Sequence, residues 1–163
     1  MQSNGINMSY DFIENKVYFD PSRLQQALFE MDQPVTVQQY IQTLTLHELG
    51  HALDRQSLLD AMPKMIEIAK VKRKKRFVER REDLVLFAYD MQAHEMDLAF
   101  EETAWENAKK LNERLSLISW DVFERVETQG MASYRKLYEK DAMTYKKLLA
   151  ASLMAEREAE IAL

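Results

Sequence analysis

Two of the three histidines in the chain lie four residues apart, in the segment TLTLHELGHALD at 43–54. Four residues is close to one helical turn, so the imidazoles of His47 and His51 would project from the same helix face. Glu48 follows His47 directly and would point about 100° around that helix. Two imidazoles so placed can bind a tetrahedral Zn²⁺, and the carboxylate can reach water on the metal. The spacing predicts a zinc site with Glu48 as its general base.

The residues around this motif favour a buried helix over a coincidence. Apart from Glu48 itself, the stretch 43–53 holds no acidic or basic side chain other than the two histidines. At ordinary residue frequencies, HExxH would occur by chance in about 0.4% of chains of this length. Buried imidazoles and a buried carboxylate need partners, which a metal would supply. Gly50 costs about 1 kcal/mol relative to alanine in a helix interior, which indicates close packing against its face.

A catalytic zinc needs a third protein ligand, and the chain has no cysteine. Position 54 is Asp and position 57 is Ser, which excludes the extended pattern HExxHxxGxxH. Glu101 would lie within an apolar stripe of a predicted helix, where an unpaired carboxylate is costly, whereas Glu102 would lie on a charged face. We therefore predict Glu101 as the third ligand, with Glu102 and His94 as alternatives. The stripe comprises Leu98, Ala104, Trp105, Ala108, Leu111 and Leu115.

The roles of several other polar residues remain open at this point. His94 is most simply a hydrogen-bonded core histidine, although it could instead contact a substrate or its transition state. Tyr134, Tyr138 and Tyr145 share one helical stripe, which core packing explains more simply than a role in binding an oxyanion. Asp54 could orient a ligand imidazole by binding the ring nitrogen that does not contact the metal, or it could lie at the surface.

The elements that would position these residues begin with a small β-structure. Residues 9–20, SYDFIENKVYFD, predict two short strands around a polar turn at 14–16. Asp20 followed by Pro21 predicts the start of a helix that continues to about residue 31. Thr36 and Gln39 have capping-box spacing and predict a helix that runs to about residue 61.

The rest of the chain is predicted to be helical. We expect a boundary at Pro63, a charged helix over 64–81 and a long helix over 83–115. One or two helices should fill 117–163, with a break near Gly130. The prediction is therefore a predominantly helical α+β fold, with a small N-terminal β-sheet and a central HExxH helix, in a single domain over 1–163.

Charge is distributed unevenly along the chain. Residues 70–81, KVKRKKRFVERR, carry a net charge of +7, so the rest of the chain carries −12. A solvated helix face explains this basic segment most simply, and docking to an acidic partner or nucleic acid is the alternative. A nucleic-acid partner is not expected for the chain as a whole, because nucleic-acid binders are usually basic. With no secretory signal and no long apolar run, we expect a cytoplasmic protein without membrane contact.

The motif and the predicted third ligand resemble zincin metallopeptidases of the gluzincin type. LTLHELGHAL fits the uncharged frame that surrounds HExxH in zincins. Glu101 and Ala104, followed by Ala108, fit the E-x-x-A-N-x-F-A form of the small intracellular ImmA/IrrE-like metallopeptidases, with Trp105 in the place of an acidic or amide residue. The resemblance implies a zinc cofactor, Glu101 as its third ligand and a reduced zincin-like fold. It also implies an edge strand above the HExxH helix that pairs with extended substrate.

These observations together predict a zinc-dependent metallopeptidase that acts on a peptide or protein substrate. The alternative is a non-catalytic zincin scaffold that binds a regulatory partner and holds a structural or vestigial metal. Glu48 favours the enzyme, because a purely structural metal site does not need that carboxylate. The sequence does not indicate the oligomeric state.

Overall fold

A computed structural model describes residues 6–161, and most of these residues are helical. The chain begins with two strands, β1 (Met8–Asp11) and β2 (Lys16–Phe19). Six helices follow: α1 (Pro21–Phe29), α2 (Val37–Leu53), α3 (Arg55–Lys74), α4 (Phe77–Glu82), α5 (Leu84–Leu115) and α6 (Trp120–Ile161). The predicted helix-rich α+β class with a small N-terminal sheet is confirmed. Over residues 6–161, none of the helices combines the length and the apolar character that crossing a membrane would require.

The two strands form an antiparallel hairpin that packs against α2. Met8 lies opposite Phe19, and Asp11 lies opposite Lys16. The Asp11 carboxylate accepts hydrogen bonds from the backbone amides of Ile13 and Glu14 at 2.9 and 2.8 Å, which fixes the turn. Asn15 has φ = 56°, a left-handed conformation that asparagine adopts more readily than most residues. The predicted polar turn is therefore confirmed.

Both predicted helix starts are confirmed by their capping bonds. The Asp20 carboxylate accepts from the backbone amides of Ser22 and Arg23 at 2.9 and 3.1 Å, and Pro21 opens α1. At the start of α2, the Gln39 amide donates to Thr36 Oγ1 at 3.2 Å, and the Thr36 amide donates to Gln39 Oε1 at 3.0 Å. This reciprocal capping box satisfies two amide donors that the helix itself cannot satisfy.

Three predicted boundaries are wrong. α2 ends at Leu53 instead of near residue 61, and α3 begins at Arg55 after a single intervening residue. Pro63 lies inside α3, which continues on both sides of it despite the missing amide donor. The predicted helix over 64–81 is therefore divided between the end of α3 and the short helix α4.

The predicted break near Gly130 is also wrong, because α6 runs without interruption from Trp120 to Ile161. Gly130 instead makes room for packing. A Cβ atom at this position would lie 3.1 Å from Cζ2 of Trp105, tighter than an ordinary contact. The glycine therefore reflects a close neighbour and not a helix end.

The described chain forms two compact units. The first consists of the chain up to Ala61 together with Ala99–Ser133, and the second consists of Met62–Leu98 with the chain from Tyr134 onward. The first unit has an apolar core that includes Leu46, Ala104, Trp105, Ala108, Phe123, Val126 and Met131. The second has a core around Ile68, Phe87 and Met91 and also buries two carboxylates. The single domain over 1–163 stays a prediction.

Candidate metal centre

Helix α2 carries both histidines and the carboxylate of the HELGH motif toward the interior of the first unit. His47 and Glu48 are buried, with 6% and 4% of their surface exposed, and His51 is half-buried. The opposite face of α2 is open, since Leu49 and Leu53 are exposed. The expectation of a buried helix is therefore wrong for this face, while the burial of His47 and Glu48 is confirmed.

The backbones of α2 and α5 touch at Gly50. A Cβ atom on Gly50 would lie 2.1 Å from the carbonyl oxygen of Ala104, a distance that only movement of a helix could relieve. Asn107 adds a hydrogen bond across the same contact, from its Nδ2 to the Gly50 carbonyl oxygen at 3.2 Å. The close packing predicted at Gly50 is confirmed. Glu101 lies one turn before Ala104 on α5. The contact at Gly50 therefore brings the Glu101 side chain within reach of α2.

Glu101 meets both imidazoles. Its Oε2 lies 3.2 Å from Nε2 of His47, and its Oε1 lies 3.5 Å from Nε2 of His51. Each of the three residues offers one ligand atom within 4.8 Å of the other two. Ligand atoms around a tetrahedral zinc with bonds of about 2.0–2.1 Å lie about 3.4 Å apart. The two nitrogen-to-oxygen distances are close to this value, although they involve different oxygens of Glu101, so the three side chains could occupy three corners of such a site.

Within residues 6–161, the ionised Glu101 carboxylate has no permanently charged ion-pair partner. Burial raises the pKa of its carboxyl, but the two imidazoles outweigh burial and bring the pKa down to about 2. Among residues 6–161, its ion-pair partners are His47 and His51 and include no lysine or arginine. A half-buried, ionised carboxylate between two imidazoles calls for a cation, either protons on the imidazoles or a metal ion.

Glu48 lies beside this group and has a different environment. Burial raises the pKa of its carboxyl above the ordinary value, while His47, His51 and a hydrogen bond with the Tyr10 backbone lower it to a smaller extent. A carboxylate whose pKa is raised by burial is a better proton acceptor near neutral pH. The Tyr10 contact also shows that β1 passes close to the motif.

Trp105 is the neighbour that sequence reasoning missed. Its indole stacks on the imidazole of His47, with ring centroids 4.3 Å apart and an interplanar angle of 30°. The two histidine rings meet edge to face at 4.7 Å. Trp105 was expected on the same apolar stripe as Glu101, but this position alone did not reveal a contact with His47. The available signal was that Trp105 lies one turn after Glu101 and shares its helix face, which places the indole near the proposed ligands without identifying the ring it contacts.

The structure places the other candidates elsewhere. Glu102 is exposed on α5. His94 lies in the second unit, where its Nε2 is 2.9 Å from Oδ2 of Asp141, so the simpler interpretation as a hydrogen-bonded histidine is confirmed. Asp54 caps the end of α2 and accepts a hydrogen bond from Ser57 Oγ at 2.6 Å instead of binding an imidazole.

The three tyrosines of the predicted α6 stripe belong to the second unit. The ring of Tyr145 packs edge to face against Phe87 at 5.4 Å, and Tyr138 is half-buried. Tyr134 is more exposed, with 38% of its surface accessible. Core packing is thus shown for Tyr145.

Known proteins offer no independent guide to this centre. No protein-family model, no curated protein and no solved structure matches the chain. The chemistry of the site must therefore be read from the three side chains that α2 and α5 bring together and from the groups around them.

Proposed function

We propose that the protein is a zinc-dependent metallopeptidase of the gluzincin type, with His47, His51 and Glu101 as metal ligands and Glu48 as general base. The observation that carries the proposal is the convergence of Glu101 on the Nε2 atoms of both histidines, at 3.2 and 3.5 Å. The sequence predicted these three residues from their chemistry, their spacing and the resemblance to gluzincins, and their proximity in the fold supports that choice.

The donor set favours zinc in a catalytic role. Two imidazoles and one carboxylate suit zinc, and three protein ligands leave the fourth tetrahedral position open. A structural zinc site usually has four protein ligands, most of them cysteines, and the chain has no cysteine. A zinc ion held here would supply an acidified water molecule and a Lewis acid for a carbonyl group.

Glu48 is the residue of this chain that would move the proton. It follows a ligand histidine directly and is buried, so its raised pKa suits a base at neutral pH. Its carboxylate would accept a proton from the attacking water and deliver it to the nitrogen of the departing amine. The scissile C–N bond breaks as the amine departs, so the peptide is hydrolysed by one water molecule.

The hairpin supports a peptide as the substrate. β1 pairs with β2 along one edge, and its backbone at Tyr10 passes close to Glu48. In the described part of the chain the sheet has two strands, so β1 keeps an edge that no further strand pairs. An extended peptide could add to that edge and place its carbonyl near the metal ligands. We propose the cytoplasm as the compartment in which this activity operates.

A Glu48→Gln variant tests the proposal. Zinc binding should stay within about threefold of wild type because Glu48 is not a ligand, whereas cleavage of a peptide library should fall by at least about 100-fold. The matched control is Glu102→Gln, which makes the same change on an exposed face and should alter neither property. Cleavage that survives in Glu48→Gln would refute the assigned role of Glu48. A zinc-loaded wild type that cleaves no peptide but binds a protein partner would favour the non-catalytic scaffold.

A further inference from the structure

We propose that Trp105 is a positioning residue for His47, and that ring stacking replaces the hydrogen bond that usually holds a metal-binding histidine. The inference rests on the metal-binding part of the proposed function and does not depend on peptide cleavage. Three observations lead to it: an unpaired nitrogen on His47, a stacked indole and the close packing that fixes the indole.

The unpaired nitrogen is Nδ1 of His47. The Nε2 atom of this ring faces Glu101, while Nδ1 is buried and finds no hydrogen-bond partner among the described residues. Metal-binding histidines almost always donate their outer N–H to a carboxylate, a carbonyl or water, which fixes the orientation of the ring. His47 therefore needs another means of holding its Nε2 toward the metal position.

The indole of Trp105 provides that means. It covers one face of the His47 ring with a centroid distance of 4.3 Å. An offset stack at this distance restrains rotation of the imidazole about its side-chain bonds, because turning the ring would force it into the indole. The indole nitrogen is also buried without a hydrogen-bond partner among residues 6–161, which indicates that shape and not hydrogen bonding places this side chain.

Close packing holds the indole in turn. Phe123 meets it edge to face at 5.6 Å, with an interplanar angle of 86°. Gly130 brings the backbone of α6 so near that a Cβ atom there would lie 3.1 Å from the indole ring. Trp105 is consequently 2% exposed and has little room to change rotamer. Phe123, Trp105 and His47 form a continuous row of aromatic contacts that ends at the proposed metal position.

This arrangement has a chemical consequence. A carboxylate behind a ligand histidine would raise the basicity of the imidazole as well as orient it. An indole orients the ring without adding negative charge, so Glu101 remains the one anionic ligand at the site. Zinc affinity should therefore depend on the aromatic face at position 105, since no hydrogen bond to Nδ1 among the described residues holds the His47 imidazole in place.

The experiment compares Trp105→Phe, which keeps an aromatic face, with Trp105→Leu, which keeps apolar volume and removes that face. Zinc affinity is measured by competition with a chromogenic chelator, and ligand geometry is followed by the visible absorption of the Co²⁺-loaded protein. We expect Trp105→Phe to bind within about threefold of wild type and Trp105→Leu to bind about 10-fold or more weakly with an altered cobalt spectrum. Trp120→Phe changes the more exposed tryptophan and keeps an aromatic ring against Phe123, so it should leave both measurements unchanged.

Fluorescence gives a second readout. The chain has two tryptophans, so in the Trp120→Phe variant all tryptophan emission comes from Trp105. Because Trp105 contacts a proposed ligand, Co²⁺ should quench this emission and reach saturation at one equivalent of metal. Emission that does not respond to bound Co²⁺ would overturn the inference.

The outcomes separate this inference from the proposed function. If wild type binds neither Zn²⁺ nor Co²⁺, the proposed function fails. If wild type binds metal and Trp105→Leu matches it in affinity and cobalt spectrum, the positioning role fails alone. Equal loss in Trp105→Phe and Trp105→Leu also overturns it, because stacking would then not be the property that matters. Should Trp105→Leu not fold, Phe123→Leu loosens the same indole, and unchanged zinc affinity in that variant refutes the inference.

Discussion

Each of the two units places a carboxylate against histidine. The two carboxylates differ in whether a permanently charged side chain also neutralises them. In the first unit, Glu101 faces two imidazoles at 3.2 and 3.5 Å. In the second unit, Asp141 binds His94 at 2.9 Å and also receives two bonds from the Arg81 guanidinium, one of them at 2.6 Å. Burial raises the pKa of Asp141, but the bonds from Arg81 and His94 outweigh it and lower the pKa.

This difference separates a structural ion pair from the proposed metal centre. Arg81 carries a permanent charge, so the Asp141 group is neutralised without any ligand. Its guanidinium also lies over the rings of Phe77 and Phe87, at 4.6 and 4.4 Å, which fixes it further. Glu101 has no such cation in the described chain, so its group is complete only with protons or a metal. The presence of an arginine, more than the presence of histidine, decides which role a buried carboxylate can take.

The largest effect on stability should come from removing that arginine. Arg81→Met leaves Asp141 buried with His94 alone and should lower the free energy of unfolding by about 3 kcal/mol. Arg125→Met is the matched control, because Arg125 pairs with the exposed Asp121 one turn away on α6 and should cost less than about 0.5 kcal/mol. Urea denaturation followed by circular dichroism measures both. Equal costs for the two variants would contradict the structural role of the Arg81 pair.

Zinc should stabilise the folded protein by nearly as much. At 100 times its dissociation constant, a ligand that binds only the folded state adds about 2.7 kcal/mol, which corresponds to a rise in melting temperature of about 5–10 °C. Glu101→Gln should abolish this rise, because the site loses its anionic ligand, and Glu102→Gln should keep it. Differential scanning calorimetry with zinc and with a chelator gives the comparison. A full rise in Glu101→Gln would exclude Glu101 as a ligand.

An intermediate effect is expected from Gly50→Ala. The added methyl group would press on the Ala104 carbonyl at 2.1 Å, and overpacking of this kind costs about 1–3 kcal/mol. It should also weaken zinc binding, because separating α2 from α5 moves Glu101 away from the imidazoles. Gly130→Ala makes the same change where the neighbour is a side chain at 3.1 Å, and it should cost less. If Gly130→Ala proves the more damaging to zinc affinity, the contact at Gly50 does not set the ligand spacing.

The smallest expected effects concern pH, which should affect zinc binding at Glu101 and the Asp141 ion pair differently. Metal binding requires deprotonated ligands, so the zinc-induced rise in melting temperature should shrink as the pH falls from 7 to 5. The Asp141 pair should persist at pH 5, because a lowered folded pKa gives stability that is present above the unfolded value of about 3.9 and is lost as the pH falls through the folded value. The stability difference between wild type and Asp141→Asn, measured at several pH values, tests this sign. A zinc effect that is equal at pH 5 and pH 7 would argue against histidine ligands.

Local signals in the sequence were sufficient for the class of fold and for the residues that meet at the site. The capping residues Asp20 and Thr36 predicted the starts of their helices, because a cap binds backbone amides only two or three residues further along the chain. The position of Glu101 within an apolar stripe set it apart from Glu102, because burial of a charge requires a partner. Gly50 predicted a close helix contact, because glycine destabilises a helix interior and close packing explains its presence there.

The features that were missed depend on tertiary contacts. Pro63 did not end a helix and Gly130 did not break one, because packing can override local preference. Trp105 could be assigned to a buried face, but its contact with His47 depends on how α5 crosses α2. The basic segment 70–81 was expected to be a solvated face, yet Arg80 is largely buried, with its Nε 3.0 Å from both carboxylate oxygens of Asp90. Asp90 lies on α5, outside this segment, so the composition of 70–81 could not predict the ion pair.

The identity and position of the metal can be measured directly by anomalous diffraction at the zinc absorption edge, from crystals of the zinc-loaded protein. We predict one strong peak, about 2.0–2.2 Å from Nε2 of His47, Nε2 of His51 and a carboxylate oxygen of Glu101. The absence of a peak from fully loaded crystals, or a peak whose ligands do not include Glu101, would contradict the assignment of this centre.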